Sequence, residues 1–427
     1  MIEQNVLTNA DLNMIWSAKL GVHPAIVSNV DSLLAKIAAD LSDSQLDHLF
    51  NLFRSAWVAQ EASRRDREQL LELVRRLAED DRKGENFKSC WSRIFWSSNF
   101  LVVYFWTKIS KFFKYSNLYE LMMNENLGDM VDRVLEVLWQ MTTAENISGE
   151  ILNEAIHNMV KILELGSLGE RERRRTAWLE RIADQFKVSD ASRNSIPVIK
   201  LFERIGNLFP ETVHEEDYSS SGAFERKQVL SRLEQEQNLI LHVVNELVEI
   251  KKDAASKYGV ITEIQHRLQF IKYLLTEASI YLNVEHAVRI WKELVLNAER
   301  EQERELAFNW FKHLMGEESD LDQEATLTFF IEHILLLDTF SLSQSAIDCF
   351  SSFFSHIIQM KPTGQKRLKM NPTQEGLNYL WTALCSCDES IAHSIISIIQ
   401  HHHHHLYHLN GDGNTNHNEF FDECAQS

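Results

Sequence analysis

Residues 260–322 constrain the fold of this chain most, because they form three consecutive amphipathic segments joined by short polar stretches. In each segment the apolar residues recur at spacings of three and four, which predicts a helix with one buried face. The three stripes are Ile261, Ile264, Leu268, Ile271 and Leu275; Ala287, Ile290, Trp291 and Leu294; and Leu306, Trp310, Phe311 and Leu314. Because each helix needs neighbours on both sides to bury its stripe, the pattern predicts a stacked helical array.

The length and composition extend this prediction to the whole chain. A chain of 427 residues is longer than one hydrophobic core of roughly 250 to 300 residues supports, so it divides into domains or extends as a solenoid. With 14 glycines, 5 prolines and no run of alternating β-branched residues, the composition indicates an all-α protein. We therefore predict an armadillo/HEAT-like α-solenoid of stacked amphipathic helices.

The same periodicity predicts further helices on either side of this stretch. The helix at about 24–40 is expected to bury one face, and residues 225–256 are expected to form one long helix. We expect Trp291, Trp310 and Trp381 to belong to the core. The buried face predicted for the first of these helices contains Ile26, Val30, Leu33, Leu34 and Ile37. The helices predicted after the central stretch cover residues 323–336, 343–359, 373–386 and 389–400.

Several segments resemble a known family. They are HPAIVSNVDSLLAKIAADLSDSQLDHLFNLF, LLELVRRLAEDD, RIWKELVLNAE, LAFNWFKHLMGEESDLD and GLNYLW. These segments resemble the N-terminal, non-catalytic helical region of the fat-facets-type giant ubiquitin-specific proteases, the family of the X- and Y-linked ubiquitin carboxyl-terminal hydrolases. The resemblance covers most of residues 9–85 and 129–400. It implies that the parent protein removes ubiquitin from substrates as a thiol-dependent isopeptidase.

The domain organisation follows from where this pattern is interrupted. An acidic, serine-containing stretch at 210–224 has no apolar period, which indicates a surface loop or a hinge between helical blocks. We predict solenoid helices in three blocks, this linker, an aromatic-rich insert and a His/Asn-rich tail that is disordered. The blocks are 1–85, 129–209 and 225–400, the insert is 86–128, the linker is 210–224 and the tail is 401–427.

The insert at 86–128 leaves three interpretations open. Its most apolar run is residues 100–106, and the apolar region from 94 to 106 is shorter than the roughly 20 residues that span a bilayer. The insert could be an extra buried helix pair, or an interfacial membrane helix with Lys108, Lys111 and Lys114 beside its aromatic residues. A translated intron in a faulty gene model is favoured, because its composition differs so much from its surroundings.

Charge disfavours a nucleic-acid partner. The chain has 43 Lys and Arg residues against 62 Asp and Glu residues, a formal net charge of −19, and such a surface repels phosphates. The densest basic patch is Arg171, Arg173, Arg174 and Arg175. Because Glu170, Glu172 and Glu180 lie on the same predicted helix, we expect a solvated face with local ion pairs, and we regard the Glu172 and Arg175 pair as surface decoration.

The cysteines and the N-terminus indicate a compartment. The five cysteines have no framework spacing, and the N-terminal residues lack the apolar core of a signal peptide. Both observations favour a reducing intracellular environment, so the cytoplasm is the expected location.

One cysteine lies near a motif that the resemblance makes relevant. The cysteine box of ubiquitin-specific proteases begins Gly-Leu-x-Asn and turns through a second glycine before its nucleophile. Residues 376–381, GLNYLW, followed by Cys385, are superficially similar, but the second glycine is missing and the stretch has helical periodicity. We therefore expect Cys385 to be a buried or half-buried structural thiol, and we predict no catalytic residue in this chain.

Two C-terminal features could bind metals, and we interpret neither as a site. The imidazoles of His401 to His405 and His408 are metal ligands in principle, but consecutive histidines do not converge on one ion, so a low-complexity tail is favoured. Residues 412–423 place oxygen groups at positions 1, 3, 5 and 12 of a calcium loop, but His417 occupies the glycine position. We predict no metal site and no cofactor, because no segment resembles a phosphate loop or a dinucleotide-binding turn.

These observations favour a non-catalytic scaffold that binds protein partners along its surface and recruits substrates for a large deubiquitinase. The alternative is a stand-alone α-solenoid adaptor without enzymatic activity. A third hypothesis is a helical protein tethered to a membrane through residues 94–114, although no membrane span is predicted. The Asn/His-rich end, in a family whose members continue much further, leads us to expect a truncated chain.

Overall fold

The computed structural model describes residues 7–38, 40–58, 69–70, 73, 76–77, 128–143, 149–164, 166–187, 195–211, 225–250, 259–316, 319–360 and 371–409. Most of these residues are helical, and none of them lies in a named strand, which confirms the prediction of an all-α fold. The chain divides into two compact units, Met1–Arg175 and Thr176–Ser427.

The first three helices of the first unit share an apolar core near the N-terminus. Thr8 caps the first helix, because its Oγ1 accepts the Asp11 N–H at 3.3 Å while the Asp11 carboxylate accepts the Thr8 N–H at 2.8 Å. The core includes Leu12, Leu34, Leu46 and Leu73. The described helices are α1 (Asn9–Ser17), α2 (Pro24–Ala38), α3 (Asp43–Val58), α4 (Gly128–Thr142), α5 (Gly149–Leu163) and the beginning of α6 (Leu168–Lys187).

Helix α2 buries only part of the predicted face: Leu34 and Ile37 are buried as predicted, and Val30 packs partly buried against the core. Ile26 and Leu33 are each 48% exposed, whereas Val27, Leu34 and Asp31 are buried. The cause is a buried ion pair in which Lys19 Nζ lies 3.0 Å from Asp31 Oδ1. Apolar periodicity places an aspartate toward solvent, but a partner of opposite charge allows this carboxylate to face the core.

The second unit repeats a helix-on-helix arrangement. Its helices are α7 (Ser195–Gly206), α8 (Arg226–Gln237), α9 (Leu239–Ile250), α10 (Val260–Ala278), α11 (Val284–Trp291), α12 (Glu301–Leu314), α13 (Gln323–Phe329), α14 (Gln344–Gln359), α15 (Pro372–Leu384) and α16 (Glu389–Leu409). Helix α10 packs on α7, α8 and α9, and α12 packs between α10 and α14. Helix α11 contacts α9 and α13, so the helices form two rows in which each helix touches the one two places along, as in a stacked array.

Aromatic side chains fill the space between these rows. The Trp291 ring lies 5.3 Å from the rings of both Phe311 and Phe329, and the Phe329 ring lies 5.6 Å from that of Phe353. Trp310 Nε1 donates a hydrogen bond to Leu268 O at 2.8 Å. The prediction that Trp291 and Trp310 belong to the core is confirmed, whereas Trp381, which was predicted with them, is only half-buried.

The long helix predicted at 225–256 is two helices in the structure. Helix α8 ends at Gln237, and Asn238 adopts the left-handed conformation with φ 51° before α9 begins at Leu239. Asparagine tolerates this conformation better than most residues. The Glu234 carboxylate accepts the Ile240 N–H at 3.1 Å, which satisfies a free donor at the start of α9. The single-helix prediction is wrong because local capping outweighs the nearly continuous apolar period; residues 251–256 lie outside the described residues.

The ends of the acidic stretch at 210–224 lie close together in the second unit. Arg226 N donates to Pro210 O at 2.9 Å, and Arg226 Nε donates to Phe209 O at 3.2 Å. Residues 212–224 themselves, like most of the insert predicted at 86–128 and the Lys108, Lys111 and Lys114 side chains, lie outside the described residues.

Two helices of the second unit differ from their predicted ends. Helix α13 ends at Phe329 and continues as a π-helical turn, Phe330–Ile334, which accommodates one extra residue per turn. Helix α16 runs past the predicted end at residue 400 and reaches Leu409. The tail predicted at 401–427 is therefore helical over its first residues, 401–409.

Candidate protein-binding groove

A groove of about 870 Å³ in the second unit lies between the C-terminal ends of α10 and α14. The connection that leads from α12 into α13 forms its floor. The volume is within the range of roughly 300 to 1,000 Å³ that is typical of binding pockets. From the end of α10, the lining side chains are Lys272, Leu275, Thr276, Ser279, Ile280 and Tyr281.

The end of α10 has a fixed shape because its last residues cap the helix. Ser279 adopts the left-handed conformation with φ 51°, and its N–H is directed at the carbonyls of Leu275 and Thr276. The Ile280 N–H also donates to Leu275 O, at 3.1 Å. This reversal turns the chain away from the helix and leaves Tyr281 on the wall of the groove, 66% exposed.

Hydrogen bonds also hold the floor in place. Asp320 O accepts the Leu282 N–H at 2.8 Å, and Asp320 N donates to Leu314 O at 2.9 Å. Asp322 caps α13, since its Oδ1 accepts the Ala325 N–H at 2.7 Å. Lys272 Nζ forms an ion pair with the Asp320 carboxylate and donates to His313 O at 3.2 Å. The floor is therefore tied both to α10 and to the end of α12.

The opposite wall is the last turn of α14. His356, Gln359 and Met360 line it, and the Met360 N–H donates to His356 O at 3.0 Å. His356 Nδ1 lies 3.1 Å from Ser352 O, so this ring nitrogen is engaged by its own helix. The groove joins apolar surface, amide and hydroxyl groups, two aspartates and one lysine, which is the chemistry of a recognition surface.

The cysteine near the GLNYLW motif lies outside this groove. Residues 376–381 belong to α15, which confirms their helical periodicity, and Cys385 is the residue that follows the helix. Cys385 is exposed, so the expectation of a buried or half-buried thiol is wrong for it. Cys349 is fully buried, and burial raises the pKa of its thiol far above the ordinary value, which disfavours the thiolate.

Gly376 of this motif has a packing role. A Cβ atom at this position would lie 2.7 Å from Phe354 Cδ2 and 3.3 Å from Phe330 Cζ, both of which belong to buried rings. Only glycine allows α15 to approach these rings so closely. The likeness to a cysteine box therefore begins at a glycine that helix packing requires.

The structure also places part of the histidine tract. His402 is buried, with Nε2 3.2 Å from Ser355 Oγ and its ring 5.4 Å from that of Phe354. Among the described residues, no three His, Cys, Asp or Glu side chains are grouped so that they could hold a metal ion. The calcium-loop residues 412–423 lie outside the described residues.

The Glu172 and Arg175 pair is buried, which corrects its interpretation as surface decoration. Arg175 Nη1 lies 3.1 Å from Glu172 Oε1, and Arg175 Nε donates to Leu163 O at 3.0 Å. The pair is buried because its guanidinium satisfies the last carbonyl of α5. Burial raises the pKa of the Glu172 carboxyl, while Arg175 opposes that shift. Arg173 is exposed, and Arg174 Nε lies 3.3 Å from Asp132 Oδ1 of α4, so this ion pair joins two helices and is not one of the local pairs that were predicted.

In the part of the chain that the structure describes, each helix is too short or too polar to cross a bilayer. The segment that raised the membrane hypothesis, residues 94–114, lies outside that part.

Sequence comparison assigns the chain to a family. The family model described as the UBP24/USP9X/USP9Y ARM repeat matches residues 1–98 and 117–358. The unmatched residues 99–116 lie within the insert predicted at 86–128. The family model matches the two ends of that insert, residues 86–98 and 117–128.

Curated proteins give the same result. The chain is 30% identical over 421 residues to the probable ubiquitin carboxyl-terminal hydrolase FAF of Drosophila melanogaster, covering 94% of this chain and 13% of that protein. It is 29% identical over 423 residues to human ubiquitin carboxyl-terminal hydrolase 9Y, and 30% identical over 423 residues to mouse ubiquitin carboxyl-terminal hydrolase 9X. Each of these two alignments covers 94% of this chain and 15% of the relative. The chain belongs to the armadillo-repeat family of the UBP24, USP9X and USP9Y ubiquitin carboxyl-terminal hydrolases.

Proposed function

We propose that this chain is a non-catalytic scaffold that recruits substrates for a ubiquitin carboxyl-terminal hydrolase, and that it binds protein segments in the groove between α10 and α14. The groove is the observation that carries the proposal, since it is a preformed recess in an array of helices. Stacked helical arrays bind partners along surfaces of this kind. Family membership supplies the hydrolase context, because the relatives are named for ubiquitin hydrolysis.

The relation to an enzyme belongs to the proposal, because the chain spans only 13 to 15% of the length of these relatives. The side chains that line the groove support recognition rather than acyl transfer. None of the described residues that line the groove is a cysteine, so they offer no thiol nucleophile beside His356. We expect the purified chain to release no fluorophore from ubiquitin joined through its C-terminus to a fluorogenic amine. Any release of the fluorophore would contradict the non-catalytic proposal. If replacing Cys385 and Cys387 by serine abolished that release, the activity would depend on these two thiols.

A peptide display experiment tests binding in the groove directly. An unbiased phage library of random peptides would be selected on the full chain and then measured against two variants. Thr276→Trp fills the groove from the exposed last turn of α10, whereas Thr382→Trp makes the same change on an exposed position of α15 outside the groove. We expect Thr276→Trp to weaken the selected peptides at least tenfold and Thr382→Trp to leave them unchanged. Peptides that bind both variants equally would remove the groove as the binding site.

Recruitment can be measured separately from binding. Fusing the chain to an unrelated ubiquitin hydrolase domain should lower KM for a ubiquitinated substrate that carries a selected peptide, with little change in kcat. The same fusion with Thr276→Trp should behave like the hydrolase domain alone. If both fusions lowered KM equally, the groove would not be the recruiting element.

A further inference from the structure

The groove between α10 and α14 has an excess of negative charge among its described lining residues. Two aspartates, Asp320 and Asp322, face it together with one lysine, Lys272. The Lys272 ammonium is already paired with the Asp320 carboxylate and donates to His313 O. Asp322 accepts an uncharged backbone N–H through Oδ1. The two aspartates and the one lysine together therefore give the groove one formal negative charge.

The ends of two helices add to this negative potential. Both α10 and α14 present their C-terminal turns to the groove. A helix C-terminus carries a partial negative charge of about half an elementary charge, which is usually balanced by Lys or Arg in the last turn. The last turn of α10 contains no basic residue, and that of α14 contains only His356. The N-terminus of α13, where Asp322 and Gln323 line the groove, carries the opposite partial charge, so two C-terminal ends face one N-terminal end.

The walls of the groove suit a long cationic side chain. Ile280 and Met360 offer apolar surface along which the methylene stem of a lysine or arginine can lie. Tyr281 lies on the same wall as Ile280, and its ring is largely exposed, so a cation can approach the face of the ring. Charge and shape therefore select the same kind of ligand.

We propose that the groove between α10 and α14 recognises a segment of a partner protein through a lysine or arginine side chain that extends between the two helix C-termini toward Asp320 and Asp322. This inference rests on the proposed scaffold function and names the chemistry of its partner. The net charge of the chain, −19, attracts cations everywhere, so the specific prediction concerns these two carboxylates and not acidic surface in general.

The test uses fluorescein-labelled libraries of nine-residue peptides whose central residue is fixed as Arg, Lys, Gln or Glu and whose other positions are random. Binding to the full chain is measured by fluorescence anisotropy at low and at physiological salt. The double variant Asp320→Asn/Asp322→Asn removes both charges and keeps an oxygen that can accept the Ala325 N–H and contact Lys272. Asp338→Asn is the matched control, because Asp338 Oδ1 also accepts a backbone N–H, from Phe340 at 3.2 Å, and lies outside the groove.

We expect the Arg and Lys libraries to bind at least tenfold more tightly than the Gln library, and the Glu library to bind most weakly. The double variant should lose this preference, whereas Asp338→Asn should keep it; thermal unfolding of each variant confirms that it is folded. The inference is overturned if the Gln library binds as tightly as the Arg library, if the double variant keeps the preference, or if no library binds. Charge-independent binding that Thr276→Trp abolishes would overturn the inference and leave the scaffold proposal standing.

Discussion

Gly376 shows how a single missing side chain fixes the position of a helix. Helix α15 begins at Pro372, directly after the cap residue Asn371, and presents Gly376 to the Phe354 and Phe330 rings. Because both rings are fully buried, a methyl group added at this position has nowhere to go.

Gly376→Ala should therefore destabilise the protein by about 1 to 3 kcal/mol, the cost of overpacking a well-filled core. Urea unfolding followed by circular dichroism measures this change. Gly149→Ala is the matched control, because a Cβ atom at Gly149 meets nothing within 4 Å. If both variants lost the same stability, close packing at α15 would not be the reason for the glycine.

Glu234 connects the break between α8 and α9 to pH. Burial raises the pKa of its carboxyl to about 7, although the backbone N–H groups of Ile240 and Leu239 oppose that shift. Between the ordinary carboxyl pKa and about 7, the native state keeps the proton that the unfolded chain loses. The contribution of Glu234 to the free energy of unfolding is thus fully present at acidic pH and falls as the pH rises to about 7.

Glu234→Gln keeps an oxygen that can accept the Ile240 N–H and removes the charge. We expect the variant to be as stable as the native protein near pH 5 and more stable at pH 8, by up to about 3 kcal/mol, since one pKa unit corresponds to about 1.4 kcal/mol. Denaturant titrations at both pH values measure this difference. Glu236→Gln is the control, because it removes a carboxylate at an exposed position of the same helix. A similar gain in stability at pH 8 from this variant would assign the effect to surface charge.

At the scale of elements, a buried ion triad joins α9 to α10. Arg267 is fully buried, with Nε 2.9 Å from Glu246 Oε2 and Nη1 2.5 Å from Glu263 Oε2. Burial raises the pKa of the Glu246 carboxyl, while Arg267 opposes this rise. Two carboxylates can lie in this space because the guanidinium lies between them.

Arg267→Met should cost roughly 3 to 5 kcal/mol, because it leaves two buried carboxylates without the guanidinium that they share. Part of this loss should be recovered at low pH, where the Glu246 carboxyl, whose pKa is raised by burial, takes up a proton. The triple variant Arg267→Met/Glu246→Met/Glu263→Met, measured by the same chemical denaturation, should recover most of the stability at neutral pH. If the triple variant were no more stable than Arg267→Met, the loss would not come from the unpaired carboxylates. The ion pairs themselves would then stabilise the packing of α9 against α10.

The elements also show how far the sequence could predict the fold. Apolar periodicity located α10, α12 and α14, because their stripes face neighbours on both sides. It failed at Asn238, where one residue in the left-handed conformation divides a nearly continuous stripe, and at Asp31, which is buried in an ion pair with Lys19. Periodicity reports the average polarity of a face, and it contains no information about which charge will find a partner.

At the scale of the whole molecule, the family could be recognised from short segments, whereas the groove could not be predicted. Its walls come from Tyr281 on one side and Met360 on the other, and its floor contains Asp320. Each of these residues follows the end of a helix, where the sequence pattern has no period. Such sites depend on how successive helix ends are placed, which only the packed array determines.

The central claim is that partners bind between the ends of α10 and α14, and photo-crosslinking tests it most directly. A photoreactive benzoylphenylalanine would replace Tyr281, which lines the groove, or Phe340, which lies outside it and is 80% exposed. Each chain would be illuminated with a peptide selected on the native protein. We predict strong crosslinks from position 281 that an excess of unlabelled peptide prevents, and only background from position 340. Equal crosslinking from both positions, or stronger crosslinking from position 340, would contradict the account.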